Sequence, residues 1–436
     1  MNLFALLQER AKAGRPVRAG LIGAGKFGSM FLAQVPTTPG LEVAAIADLA
    51  PDNARGACRR VGWDDARINA TRFTDAGGAL ISDPSVEVVI EATGSPAAGL
   101  AHAALALEHG KHIVMVNVEA DALAGPVMAA RFRAAGLVYS MAYGDQPALI
   151  SELVDWVRAA GFTVAAAGKG TKYLPQYHEV TPDDVWQHYG LTAEEAAAAG
   201  MNSQMFNSFL DGTKSAIEMA ATANACDLSA PSGGLLFPPC GTDALQSVLR
   251  PLSVGGVLEQ AGMVEVVSSL NRDGSEVARD LRWGVYVILK APTDYAAACF
   301  TQYGLPTDET GQYAAMYKPF HLIGLELGIS VLSAALRNEP TGQSRAFNAD
   351  AVAVAKRDLA PGEMLDGEGG YTVWARLMPA SESLAINALP IGLAGGVAVN
   401  RAVKRGEVLR QTDVALKAAD PAVLLRHEME AMRRAD

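Results

Sequence analysis

The sequence predicts an α/β protein in three parts: a doubly wound parallel sheet over residues 1–160, an α+β domain over 161–345, and a small β-rich domain over 346–436. Three observations carry this reading. Apolar strand-like runs alternate with helix-period runs along the first part, which is how a parallel sheet wrapped by crossover helices is written. The alternation then gives way to long helical segments mixed with strand-like runs. From about Ala346 the chain turns to short β-type runs separated by glycine turns.

The elements follow in order. Asn2–Ala13 places Leu3, Leu6 and Leu7 among polar residues, the spacing of a short amphipathic helix. Val17–Ile22 reads as a buried strand, Gly23–Gly28 as a tight turn, and Lys26–Val35 as a helix. Leu41–Ala47, Ser85–Glu91, His112–Asn117 and Leu137–Met141 read as further strands. Ala97–His109, Ala120–Ala135 and Pro147–Ala160 read as helices. In the second part, Thr163–Gly168, Val264–Ser269 and Trp283–Lys290 predict strands. Thr192–Ala199, Ser203–Ala225 and Tyr313–Leu336 predict helices. In the third, Ala351–Ala355, Tyr371–Arg376 and Gly396–Val399 predict strands, and Pro421–Arg434 a charged terminal helix. Val354–Leu365 and Val403–Val414 share one pattern: basic residues, then Gly-Glu, then an apolar pair.

Composition narrows the function. Half of the 436 residues are hydrophobic and 19% are charged, as in an ordinary globular chain. The net charge of −11 argues against nucleic acid or an anionic membrane as partner. It leaves room for a small anionic substrate in a local basic pocket. Cys58, Cys226, Cys240 and Cys299 show neither CxxC nor zinc spacing and read as buried residues. Met1–Arg15 lacks the apolar core of a signal peptide. Leu384–Val399, the most apolar stretch, is interrupted by Asn387, Pro390 and glycines. The expectation is a cytoplasmic protein with no membrane partner. Apolar helices and a small third domain would suit a homodimer.

The first chemical motif is G-x-G-x-x-G at Gly23, Gly25 and Gly28, with Lys26 and Phe27 inside it. It follows a strand and opens a helix, and Asp48 ends the next strand. Strand, motif, helix, strand and acid in register form the fingerprint of a dinucleotide-binding Rossmann unit. The helix N-terminus faces the pyrophosphate with free N–H groups. Asp48 would bond a ribose 2′-hydroxyl, which favours NAD. Arg55, Arg59 or Arg60 could offset its charge toward a 2′-phosphate, or could form a solvated helix face. Ligands of such sheets lie outside the carboxyl ends of the strands, which places Thr93 and Gly94 on the nicotinamide side. By the same position, Glu119 and Asp121 read either as helix N-terminal anions or as groups facing substrate or metal. Asp145 reads as a helix cap or a ligand.

The densest polar cluster is Gly168-Lys169-Gly170-Thr171-Lys172-Tyr173, followed by Tyr177 and His178. Lysines between glycines make an anion pocket or a solvated basic loop. In a second cluster, Phe206–Ser215, helical spacing would put Asn207, Asp211, Lys214 and Glu218 on one face. That stripe is a solvated face or a catalytic wall. His321 and Glu326 read as lying in an apolar helix, where the histidine is a satisfied core group rather than a ligand. No GxSxG elbow or HExxH motif is present.

Six segments resemble one family closely: Asn117–Asp121, Tyr143–Pro147, Gly168–Pro175, Phe206–Ala220, His321–Ser330 and Ala355–Gly370. They are similar to the deoxyxylulose phosphate reductoisomerase-like enzymes, homoserine-dehydrogenase-like proteins with a C-terminal SAF domain. The resemblance implies conversion of 1-deoxy-D-xylulose 5-phosphate to 2-C-methyl-D-erythritol 4-phosphate on the isoprenoid route, or action on a related sugar or sugar acid. It implies NADP, with NAD left open by Asp48, and Mg²⁺ or Mn²⁺. Such chemistry matches residue types here: Glu119, Asp145 and Glu218 for the cation, and Lys169, Lys172, Lys214 and Asp145 as catalytic groups. Asn207, Ser208, Tyr173 and His178 match substrate binding. Two other readings stand beside it: a homoserine-type dehydrogenase without rearrangement, and a non-catalytic protein that binds cofactor or sugar.

Overall fold

The computed structural model describes residues 2–435. It has two compact units: Met1–Leu149 with His321–Arg345, and Ile150–Phe320 with Ala346–Asp436.

The first unit is a parallel sheet of β1 (Val17–Ile22), β2 (Leu41–Ala47), β3 (Arg72–Thr74), β4 (Val88–Glu91), β5 (His112–Met115) and β6 (Tyr139–Met141). The spatial order is β3-β2-β1-β4-β5-β6, so strand order reverses between β1 and β4. Strands covered on both faces are near-continuous apolar runs, and Val17, Ala19, Leu21, Val88, Val89 and Ile90 are all fully buried. The stretch from Asp48 to Ser85, which carries little periodicity, supplies the helices Pro51–Arg60, Asp65–Ala70 and Gly77–Ile81 besides β3.

The expected helix Tyr313–Leu336 is two different elements in two units. Residues 313–318 are a strand of the second unit. The helix is Gly328–Arg337, and its Val331, Leu332 and Ala334 join Leu21, Ile90 and Val114 in the core of the first unit. The run Tyr-Ala-Ala-Met-Tyr-Lys suits either period, and a neighbouring strand edge settled it. His321 and Glu326 accordingly lie outside the helix.

The second unit holds β7 (Thr163–Thr171), β8 (Met263–Ser268), β9 (Val285–Lys290) and β10 (Tyr313–Lys318) in the order β10-β9-β7-β8. Only β7 and β8 are parallel. Strand β7 runs past the expected Gly168 because its glycines admit neighbouring backbone. A Cβ at Gly168 would lie 1.8 Å from the Glu265 carbonyl oxygen, and one at Gly170 2.0 Å from that of Leu281. These glycines therefore serve packing within the unit.

The expected helix Ser203–Ala225 is broken at Asp211-Gly212 into Ser203–Leu210 and Thr213–Cys226. Gly212 has φ +89°, a left-handed turn that glycine adopts freely. The C-terminal region adds β11 (Ala349–Ala355), β12 (Met364–Asp366), β13 (Val373–Pro379) and β14 (Gly395–Ala398), paired antiparallel as β11-β13 and β12-β14. The helix Thr213–Cys226 packs against β11 and β13 and is buried on almost all sides. Cys58, Cys226 and Cys240 are buried, and Cys299 is half-buried.

Candidate functional site

In the first unit the glycine turn is built as the motif requires. A Cβ at Gly23 would lie 2.6 Å from the Ala92 carbonyl oxygen, and one at Gly28 2.4 Å from that of Gly23. A Cβ at Gly25 would meet nothing within 4 Å. Gly23 and Gly28 are thus fixed by the protein's own packing, while Gly25 faces open space. Gly25 is the N-cap of Lys26–Gln34 and brings no side chain to the first-turn N–H groups. Those donors and the positive end of the helix dipole are left for a pyrophosphate. Lys26 is exposed there, and Phe27 is half-buried. Asp48 braces the turn: its carboxylate accepts from Ala24 N at 2.9 Å and Ala50 N at 3.0 Å. These residues fit a dinucleotide.

The neighbouring strand ends are polar. Glu91 is fully buried at the end of β4 and accepts from Thr93 Oγ1 at 2.5 Å, with His102 Nδ1 at 3.3 Å. Thr93 and Gly94 are exposed just beyond, Gly94 with φ +71°. Asn117 caps the helix Val118–Ala134, whose first turn carries Glu119 and Asp121, both buried. Asp121 accepts from Ser344 Oγ at 2.7 Å, and burial pushes its carboxyl up to about 6. Asp145 is buried at the start of the helix Gln146–Ala159, and its carboxylate accepts from the adjacent Gln146 N at 2.8 Å.

In the second unit, β7 and the helix Thr213–Cys226 face each other across a buried ion pair. Lys169 Nζ donates to Glu218 Oε2, with the two residues 5% and 2% exposed. Ser215, one turn before Glu218 and so on the same helix face, has a buried hydroxyl with no hydrogen-bond partner. Tyr173 and His178 form a second pair, 3.0 Å apart from Oη to Nε2. His178 Nδ1 lies 2.6 Å from the Asp211 carbonyl, which can only accept, so Nδ1 carries the hydrogen. Burial pushes the imidazole below its ordinary range and keeps it neutral. Nε2 is then an acceptor, and the Tyr173 hydroxyl donates to it. Phe237 stacks on Tyr173 at 3.9 Å, and Trp374 on His178 at 3.8 Å.

The other expected residues are placed differently. Lys172 Nζ donates to the His188 carbonyl, and burial together with Arg282 holds its amine below the usual lysine range. Asn207 is fully buried and spends its amide N–H groups on the carbonyls of Val180 and Gly369, while Oδ1 has no partner. Ser208 Oγ donates to Met205 O within its own helix. Lys214 is half-buried in the first turn of Thr213–Cys226. The break at Gly212 removes the single helix face expected for Asn207, Asp211, Lys214 and Glu218. Among the described residues no three His, Cys, Asp or Glu side chains are grouped to hold a metal ion. Glu218 is neutralised by Lys169. Of the expected Mg²⁺ or Mn²⁺ ligands, Glu119 and Asp145 belong to the first unit and Glu218 to the second.

Sequence reasoning missed Trp374 and Lys356. Both belong to the C-terminal region, and no local pattern ties them to a cluster so far upstream.

Comparison with known proteins adds two family matches. Residues 23–136 match the homoserine dehydrogenase NAD-binding domain. Residues 144–327 match the catalytic domain of oxidoreductase DRL. Two segments of the chain are thus similar to oxidoreductase domains, each over less than half of its length. No curated protein gives a significant match. Solved structures similar to parts of the chain include a probable dehydrogenase from Thermotoga maritima, 14% identical over 74% of this chain and 90% of that one, TM-score 0.38. Another is a biliverdin reductase from Synechocystis, in complex with biliverdin and NADP⁺. It is 21% identical over 36% of this chain and 48% of that one, TM-score 0.27. The chain spans about half the length of the first such structures. Among the described residues no helix is long and apolar enough to cross a membrane.

Proposed function

We propose that the protein reduces the carbonyl of a small, polar, anionic sugar derivative with NADPH or NADH. The observation that carries this reading is the buried Lys169–Glu218 pair, within the segment that matches an oxidoreductase catalytic domain. When bound, the nicotinamide supplies the hydride. Lys169 Nζ would hold the proton that the substrate oxygen takes as negative charge develops on it. Glu218 orients that ammonium and offsets its burial. The unpartnered Ser215 hydroxyl would bind a substrate oxygen, and the Tyr173–His178 pair another polar group.

The finer form of this proposal is a reductoisomerase acting on 1-deoxy-D-xylulose 5-phosphate, which the family resemblance supports. A second reading, hydride transfer without rearrangement, is favoured by the pairing of Glu218 with Lys169, which opposes its binding a chelating cation.

The test is NADPH and NADH oxidation by the purified full chain. Substrates would be 1-deoxy-D-xylulose 5-phosphate and a panel of sugar phosphates and sugar acids, with and without Mg²⁺ or Mn²⁺. Turnover of a panel member by wild type and its loss in Lys169→Met is the expected result. Turnover only of compounds that cannot rearrange would select the second reading. No turnover with either cofactor would overturn both.

A further inference from the structure

Residues 346–436 contribute to the Tyr173–His178 pair through a continuous network. Trp374 of β13 lies flat on the His178 ring, 3.8 Å between centroids and 20° between planes. The next residue, Ala375, donates its N–H to Thr213 Oγ1 at 2.9 Å. Lys356, 6% exposed at the end of β11, gives Nζ to the carbonyls of Val180 and Gly370 at 2.8 Å each. The same Nζ sits 2.8 Å from Asp211 Oδ2. Asp211 is the residue whose carbonyl accepts from His178 Nδ1. Asn207 and Gln204 tie the loop 366–369 to the helix Ser203–Leu210 through backbone carbonyls.

We infer that the C-terminal region is a positioning part of the substrate-binding wall. Trp374 and Lys356 hold His178, and through it Tyr173, in one hydrogen-bonding arrangement. The inference rests on the reading of that wall as part of an oxidoreductase site. Its consequence is chemical. With Nδ1–H fixed on the Asp211 carbonyl and Nε2 taking the Tyr173 proton, the Tyr173 oxygen keeps its lone pairs for a donor. It would read a substrate hydroxyl and reject a phosphate or carboxylate oxygen. A flat indole on the imidazole face covers that face of the ring and hinders its rotation. The charged or titratable groups facing His178 are Asp211, Lys356 and Glu179, besides Tyr173 itself. Glu179 is paired with Arg405, also of the C-terminal region.

The test uses full-length protein and reads His178 directly by ¹⁵N imidazole NMR, its signal assigned by its loss in His178→Asn. Wild type should show the Nδ1–H tautomer at pH 7. Trp374→Ala and Lys356→Met should mix the tautomers and move the titration of His178 upward, toward the ordinary imidazole range. Trp374→Phe, which keeps a flat ring, should stay near wild type. If turnover is found, Trp374→Ala should lower kcat/KM by about 10- to 100-fold and shift its pH profile. A folded Trp374→Ala protein with wild-type tautomer and titration would overturn the inference. The NMR arm gives its answer even if every nicotinamide assay is blank, which separates failure of this inference from failure of the oxidoreductase reading.

Discussion

At the residue scale, the electrostatics of buried groups make the sharpest predictions. Lys169→Met leaves Glu218 buried without its cation, and stability should fall by about 3 kcal/mol or more in urea unfolding. Glu218→Gln keeps the shape and a hydrogen-bond acceptor, so steady-state kinetics should show a fall in kcat of about 100-fold with a smaller change in stability. Asp121 gives a pH signature. Its carboxyl is pushed up to about 6 by burial, whereas in the unfolded chain it titrates near 4. Between those values the folded state binds the extra proton, so unfolding free energy falls as pH rises. Above about pH 6 the deficit is constant at roughly 2–3 kcal/mol. Asp121→Asn should flatten this slope between pH 4 and 6 in urea midpoints while keeping the Ser344 hydrogen bond. An unchanged slope would show that Asp121 is already ionised at pH 5.

At the element scale, the glycine turn separates folding from binding. Gly25→Ala should leave the apo protein within about 0.5 kcal/mol of wild type, because the added Cβ meets open space. It should nevertheless weaken dinucleotide binding at least tenfold by calorimetry, on the order of 1.4 kcal/mol. Gly28→Ala should lower Tm and affinity together, since its Cβ would lie 2.4 Å from a carbonyl oxygen. The strand–turn–helix–strand order of this unit is written in local periodicity, and β1 and β2 fall where their apolar runs predict. The helix break at Gly212 is not so written. Asn207–Glu218 keeps helical spacing in sequence, but a left-handed glycine and the bond from His178 to Asp211 O end one helix and start another.

At the scale of the whole molecule, the C-terminal region is fastened by a buried charge network. Arg426, 1% exposed, bonds Asp350 and Glu430, themselves 1% and 5% exposed. Arg426→Met should cost about 3–5 kcal/mol, because two carboxylates lose their shared cation. Limited proteolysis should then cut first near the helix Pro421–Ala435. If the inference above holds, the His178 tautomer should be disturbed in the same variant. The acidic balance of −11 coexists with buried lysines that are ion-paired, Lys169 with Glu218 and Lys356 with Asp211. Of the lysines read from sequence as an anion pocket, Lys169 is paired with Glu218 and Lys172 donates to the His188 carbonyl.

What the sequence determined by itself is the nucleotide fold and its turn. Apolar periodicity, glycine spacing and the acid at the end of β2 are local, and backbone sterics and helix geometry act over just such distances. The candidate residues Lys169, Tyr173 and His178 were also legible, as an unusual density of polar groups. Their partners were not. Lys169 meets Glu218 49 residues away, and Lys356 reaches Val180 O 176 residues away. Only tertiary packing decided that a glycine-flanked lysine closes a buried ion pair and that a tryptophan from the last strands lies on the histidine. Desolvation forces each buried charge to find a partner, and the fold, not the spacing along the chain, supplies it.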